Sequence, residues 1–145
     1  MIILDTNIVS ELMRREPAER VARWLAGRPA TSLCTTTITQ AEVLLGVHLL
    51  PRGKRRDEIE QEAQEVFEKD FAGRLLPFAS EAARAYARIT SARRRSGRPI
   101  SQADAQIAAI ARSTGYDLAT RNVRDFEGCG IELHDPWKPL TGGQR

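Results

Sequence analysis

Apolar positions fall into short runs that alternate with stretches of helical spacing. Ile2 to Leu4 is a brief apolar run ending at Asp5, the pattern of a buried parallel strand with an acid at its C-terminal end. Ile8, Leu12 and Met13 then give helical spacing. Pro17 suits the first turn of a second helix, on which Val21, Trp24 and Leu25 share a face and which stops near Gly27. Thr31 to Thr35 is short and β-favouring, so a second strand is expected there. Thr37 with Gln40 makes a capping-box pattern opening a helix that carries Glu42 in its first turns, then Leu44, Leu45 and Val47 to Leu49. The charged segment Asp57 to Asp70 keeps Ile59, Ala63, Val66 and Phe67 on one stripe. Leu75 to Phe78 predicts a third strand.

Ser80 and its neighbours are expected to cap a helix through Ala83, Tyr86, Ala87 and Thr90 that runs into an arginine cluster and stops near Gly97. Ser101 to Asp104 is a second capping-box-like start. Ala105, Ala108, Ala109 and Ala111 make the helix behind it thin enough for close packing, and Gly115 suits its end. Asp117 to Thr120 predicts a strand, Arg121 to Gly128 a loop, and Ile131 to Leu133 a last edge strand. Strands and helices alternate, which predicts an α/β domain with a central parallel sheet of four to five strands and helices on both faces. The domain is expected over residues 1–137, with a flexible tail at 138–145.

A chain of 145 residues can bury one core without staples. Its apolar stretches fall far short of the roughly 18 residues of a membrane span. Met1 to Asp5 lacks the basic and apolar regions of an export signal, so a cytoplasmic protein is expected. Cys34 and Cys129 are too few for a disulfide framework, and Cys34 reads as a small buried hydrophobe. The net charge of +3 is mild, but its distribution is uneven. Lys54-Arg55-Arg56 and Arg93-Arg94-Arg95 with Arg98 are either solvated helix faces or, beside an acidic metal site, phosphate contacts.

In open parallel sheets the ligand site lies beyond the C-terminal ends of the strands. Asp5 ends the first strand, Glu42 follows the second, Asp104 opens the helix before the fourth, and Asn122 and Asp125 lie just after it. Each acid alone has a structural reading: a helix N-cap for Asp5, an exposed helical acid for Glu42, a capping-box acid for Asp104, an Asx-turn residue for Asp125. Their joint placement points further. Several carboxylates in one cleft repel one another, and a hard divalent cation holds them ionised together. Oxygen donors favour Mg²⁺ or Mn²⁺ over zinc. His48 reads as a helix-face residue and His134 as a tail residue, each isolated from the other and from any cysteine.

Four motifs stand in order along the chain: Ile3-Leu4-Asp5-Thr6-Asn7; Thr39-Gln40-Ala41-Glu42 with Gly46; Asp104-Ala105-Gln106-Ile107-Ala108; and Ala119 to Phe126 followed by Asp135-Pro136-Trp137. Together they resemble the PIN-domain nucleases, and within them the VapC toxins, especially the branch of FitB and the plasmid-stability proteins. The resemblance implies a three-layer α/β/α PIN fold and the toxin half of a type II toxin–antitoxin pair. It implies an endoribonuclease dependent on Mg²⁺ or Mn²⁺, in which a metal-activated water hydrolyses the phosphodiester. It also implies a homodimer, forming a heterotetramer or larger assembly with a VapB- or FitA-like antitoxin that covers the acidic site. By position, Asp5, Glu42 and Asp104 are the metal-binding acids, and Thr6, Asn7 and Thr120 orient them. The fourth place falls to Asp125 or, through water, to Asn122. Arg93, Arg94, Arg95, Arg98 and Arg121 are candidates for steering the RNA backbone. Apolar stripes on the N-terminal helices, Trp24 included, also lead to the expectation of a dimer.

Rival readings are a haloacid-dehalogenase-type phosphotransferase and a binding module whose acidic cleft docks a basic segment. The first needs a second acid two residues after Asp5, where Asn7 stands. A receiver-domain signalling protein would need an acid pair at the first strand, which is not evident.

Overall fold

The computed structural model describes residues 1–139. Five parallel strands lie in the order β3-β2-β1-β4-β5: β1 (Ile2–Leu4), β2 (Leu33–Thr36), β3 (Leu75–Leu76), β4 (Asp117–Ala119) and β5 (Leu133–His134). The helices are α1 (Thr6–Leu12), α2 (Glu19–Ala26), α3 (Thr37–His48), α4 (Lys54–Glu65), α5 (Ser80–Arg95) and α6 (Gln102–Thr114). A single π-type turn, Val66–Asp70, continues α4.

Strand geometry explains why β1, at the centre of the sheet, is apolar throughout. Successive side chains point to opposite faces, and both faces here are covered. Ile3, Cys34 and Leu118 join Ile89, Ile107, Ile110 and Phe126 beneath α5 and α6. Leu4, Leu33 and Ala119 join Ile8, Val9, Val21, Val43, Val47, Phe67 and Phe71 on the other side. Cys34 and Cys129 are both buried, and burial pushes the Cys34 thiol up to about 11. The expected parallel-sheet α/β architecture is borne out.

Several boundaries differ from expectation, each for a local reason. Pro17 lies ahead of α2, whose N-cap is Ala18. Ala30–Ser32 form a 3₁₀ turn, which delays β2 to Leu33. The cap of α3 is Thr36 rather than Thr37, since the Thr36 hydroxyl accepts the Thr39 amide at 3.1 Å. Helix α4 begins at Lys54, before Asp57. Pro77 has no amide to offer a ladder, and β3 stops at Leu76. On α5 the buried residues are Ala82, Ala85, Ile89 and Arg93, so Ala83 and Ala87 face water. Ser80 does not cap that helix, but its hydroxyl accepts from Arg84. Val123–Phe126 form a 3₁₀ turn within the expected loop, and the last strand is Leu133–His134. His134 is therefore a sheet residue, bonded to Asp117 at 2.9 Å, and not part of a tail. Of the expected tail, residues 140–145 lie outside the described residues. Trp24 packs within its own chain, beneath Arg28. Surplus apolar surface stands instead at Leu45 and Leu49, 60% and 76% exposed, with Leu12 and Leu50.

The strand order places the site. From β1 the chain winds outward through β2 and β3, then returns to lay β4 and β5 on the other side of β1. The reversal lies between β1 and β4, and the ligand site of such a sheet belongs beyond the carboxyl ends of these strands. Asp5 follows β1 there, and Thr120 follows β4.

Candidate active site

Asp5 continues the β1–β4 ladder, its amide donating to the carbonyl of Ala119 at 2.9 Å, and its carboxylate turns into the cleft as the N-cap of α1. The residue is 4% exposed. Oδ1 accepts the Thr6 amide at 2.8 Å; Oδ2 accepts the Thr120 hydroxyl at 2.7 Å and the Asn7 amide group at 3.3 Å. Burial pushes the Asp5 carboxyl up to about 6, and the nearby carboxylates of Asp104 and Glu42 push the same way against the bonds from Thr120 and Thr6. Asp5 is thus the N-cap of α1, as one of its readings had it, and also stands near Asp104 and Glu42.

Glu42 stands in the second turn of α3. Its Oε1 accepts the Thr6 hydroxyl at 2.6 Å, and that hydroxyl lies 3.1 Å from the hydroxyl of Thr39. Thr6 therefore serves two acids, Asp5 through its amide and Glu42 through its side chain. Asp104 stands in the first turn of α6, its amide donating to the Ser101 hydroxyl at 3.2 Å. Burial raises its pKa, as do the carboxylates of Asp125 and Glu42, while hydrogen bonding with Ser101 and the Arg93 cation oppose the rise. Asp125 is exposed on the 3₁₀ turn, which is pinned by the buried ring of Phe126. Asn122 precedes that turn, and its amide donates to the Thr120 hydroxyl at 3.1 Å. The Arg121 amide donates to Oδ1 of Asn7 at 3.2 Å.

The charges of Asp104 and Glu42 thus reach Asp5, and those of Asp125 and Glu42 reach Asp104, so acids from distant segments stand near one another at this edge of the sheet. Mutual repulsion opposes their closer approach. Among the described residues no three acid, histidine or cysteine side chains stand close enough together to hold a metal ion, so the acids are neighbours without forming a cage. The donor set at this edge is nevertheless of one kind. Only oxygens face it, since His48 is engaged with Arg56 and Glu60, His134 with Asp117, and both cysteines are buried in the cores. Hard oxygen donors with a surplus of negative charge fit a divalent cation such as Mg²⁺ or Mn²⁺ better than zinc.

The arginine expectations divide. Arg93 is not a surface cation: it is buried, and its guanidinium is spent on the backbone carbonyls of Arg98, Asp125 and Glu127. Arg98 pairs with Glu127 at 3.1 Å. Arg94 and Arg95 are exposed on the last turn of α5, and Arg121 is exposed beside the cleft with its guanidinium over the Trp137 ring. Thr39 stands in a sequence motif that gave it no role of its own, and the inward role of Arg93 was missed from sequence. The signal for Arg93 was there: it extends the Ala85–Ile89 stripe by one more step of four.

The PIN domain family matches residues 2–128 of this chain. The VapC ribonuclease Y4jK of Sinorhizobium fredii is 38% identical over 96% of this chain and 99% of its own length. Toxin FitB of Neisseria gonorrhoeae is 38% identical over 94% and 99%. The crystal structure of FitAcB from Neisseria gonorrhoeae superposes with a TM-score of 0.89 at 37% identity, covering 96% of this chain and all of that one. This chain belongs to the PIN-domain family, in its branch of VapC and FitB relatives, as the four motifs implied. Among the described residues no helix is long and apolar enough to cross a membrane.

Proposed function

We propose that the chain is the toxin of a type II toxin–antitoxin pair, an endoribonuclease working on RNA in the cytoplasm. The observation that carries this reading is that Glu42 and Asp104 crowd Asp5, and Asp125 crowds Asp104, with Asp5 buried and short of countercharge. The toxin role follows relatives named as a VapC ribonuclease and a FitB toxin along nearly the full chain.

Asp5, Glu42 and Asp104 would hold Mg²⁺ or Mn²⁺, with Asp125, or Asn122 through water, at the fourth place. Such an ion supplies charge neutralisation at the scissile phosphate and activation of a water for in-line attack. The chain's own residues supply order. Thr120 and Asn7 fix the Asp5 carboxylate, and Thr6, backed by Thr39, fixes that of Glu42. Helix α6 presents Asp104 from its first turn, where the macrodipole favours an anion. Arg121 stands beside the cleft and Arg94 and Arg95 on the end of α5, free to meet the phosphate backbone. A basic antitoxin segment would meet the same acids, and Leu45, Leu49 and Leu50 offer it or a second copy of the chain an apolar contact.

The test uses the purified chain, freed of any partner, with total RNA and Mg²⁺ or Mn²⁺. Cleavage giving 5′-phosphate and 3′-hydroxyl ends is expected, abolished by chelator and lowered about a thousandfold in Asp5→Asn, several kcal/mol of barrier. Ends bearing 2′,3′-cyclic phosphate would contradict the mechanism. The open spacing of the carboxylates gives the binding-module reading its one supporting observation. A chain that binds the ion yet cleaves nothing would favour it.

A further inference from the structure

Arg93 stands in the last turn of α5, where arginines are ordinarily solvated, yet it is 8% exposed. A guanidinium is held inside a protein only where its donors are used. Nε donates to the carbonyl of Arg98 at 2.6 Å. One terminal nitrogen donates to the carbonyls of Asp125 at 3.0 Å and Glu127 at 2.9 Å, and lies 3.7 Å from Sγ of Cys129. These acceptors come from two segments. Arg98 belongs to the connection that delivers Ser101 and Asp104; Asp125 and Glu127 belong to the turn carrying the fourth acid. One rigid, planar fork therefore ties the two segments together. Its hydrogen-bond partners are neutral carbonyls, which leave the positive charge undiminished beside Asp104.

We propose that Arg93 is a positioning residue of the acidic site: by clamping the backbone of Asp125 to the segment leading into α6, it sets the separation of the Asp125 and Asp104 carboxylates. This rests on the reading of Asp125 as a metal-site acid. Arg94 and Arg95, its neighbours in sequence, have no such role and remain on the surface.

A double-mutant cycle on the full chain tests it, with Mn²⁺ affinity measured by isothermal titration in the parent, Arg93→Lys, Asp125→Asn and the double variant. Lysine keeps the charge but, as a point donor, cannot span both segments. Arg93→Lys is expected to weaken Mn²⁺ binding about tenfold, as loss of a partner that orients a ligand does. The double variant should bind no more weakly than Asp125→Asn alone, because a clamp that acts through Asp125 has nothing further to lose. Additive losses, or unchanged affinity in Arg93→Lys, would overturn the proposal. Arg93→Gln serves if the lysine variant does not fold, and failure of both would make Arg93 a strut of the whole fold and overturn the assignment equally. Asp125→Asn with parental Mn²⁺ affinity would instead sink the reading of Asp125 itself, which separates the two failures.

Discussion

Asp5 and Asp104 bring the same carboxyl group to the same cleft, and the molecule holds them differently. Asp5 is sealed at the end of the central strand, with both oxygens taken by partners on α1 and after β4. Asp104 is half-buried, placed by the cap of α6 and by a cation acting from α5. The first is rigid and electrostatically costly, the second more open and tuned at longer range. The comparison teaches that a cluster of acids need not be built uniformly: one buried member fixes the origin, and the others are set around it.

The largest consequence for stability concerns pH. The Asp5 carboxyl rises from 3.8 to about 6 on folding, so between about pH 4 and 6 the folded chain retains a proton that the unfolded chain has released. Stability of the metal-free protein therefore falls as pH rises through that window, by up to about 3 kcal/mol, and the loss is complete above it. Denaturant unfolding in chelator at pH 5 and pH 7.5 measures this. Asp5→Asn should remove that part of the pH dependence, and Mn²⁺ at pH 7.5 should restore the parent's stability by binding the folded state. A parent profile no steeper than that of Asp5→Asn would show that Asp5 is no worse solvated than an ordinary surface acid.

A smaller effect sharpens the same contrast. Thr120→Val removes the 2.7 Å bond to Asp5 while keeping the side chain's shape. A hydrogen bond to a charged group contributes about 1.5–3 kcal/mol, and Mn²⁺ affinity should fall about tenfold or more. Parental affinity in Thr120→Val would mean that burial and the bonds from Thr6 and Asn7 fix Asp5 without it.

Much of this was legible in the sequence because strand ends and caps are local. Ile2 to Leu4 could only be a buried strand, and Ser101 and Gly115 delimit α6 by their own chemistry. What was not legible is set by contacts distant in sequence. Helix α3 is apolar nearly all round, so Leu44, Leu45, Val47 and Leu49 could not reveal that Val43 and Val47 face inward while Leu45 and Leu49 face water. Thr39 sits on its buried side, where its hydroxyl meets that of Thr6. Arg93 was read with its charged neighbours as surface, whereas its i, i+4 relation to Ile89 places it in the core. Charge patterning reports solvation only where the fold leaves a side chain in water.

The most direct measurement is a titration of Mn²⁺ into the partner-free chain at pH 7.5, in parallel with Asp5→Asn and Asp104→Asn, each checked for a native unfolding transition. Saturable binding by the parent and its loss in both variants is the predicted result. A parent that takes up no Mn²⁺, or variants that bind it as tightly as the parent, would contradict the claim that these acids form one cation site.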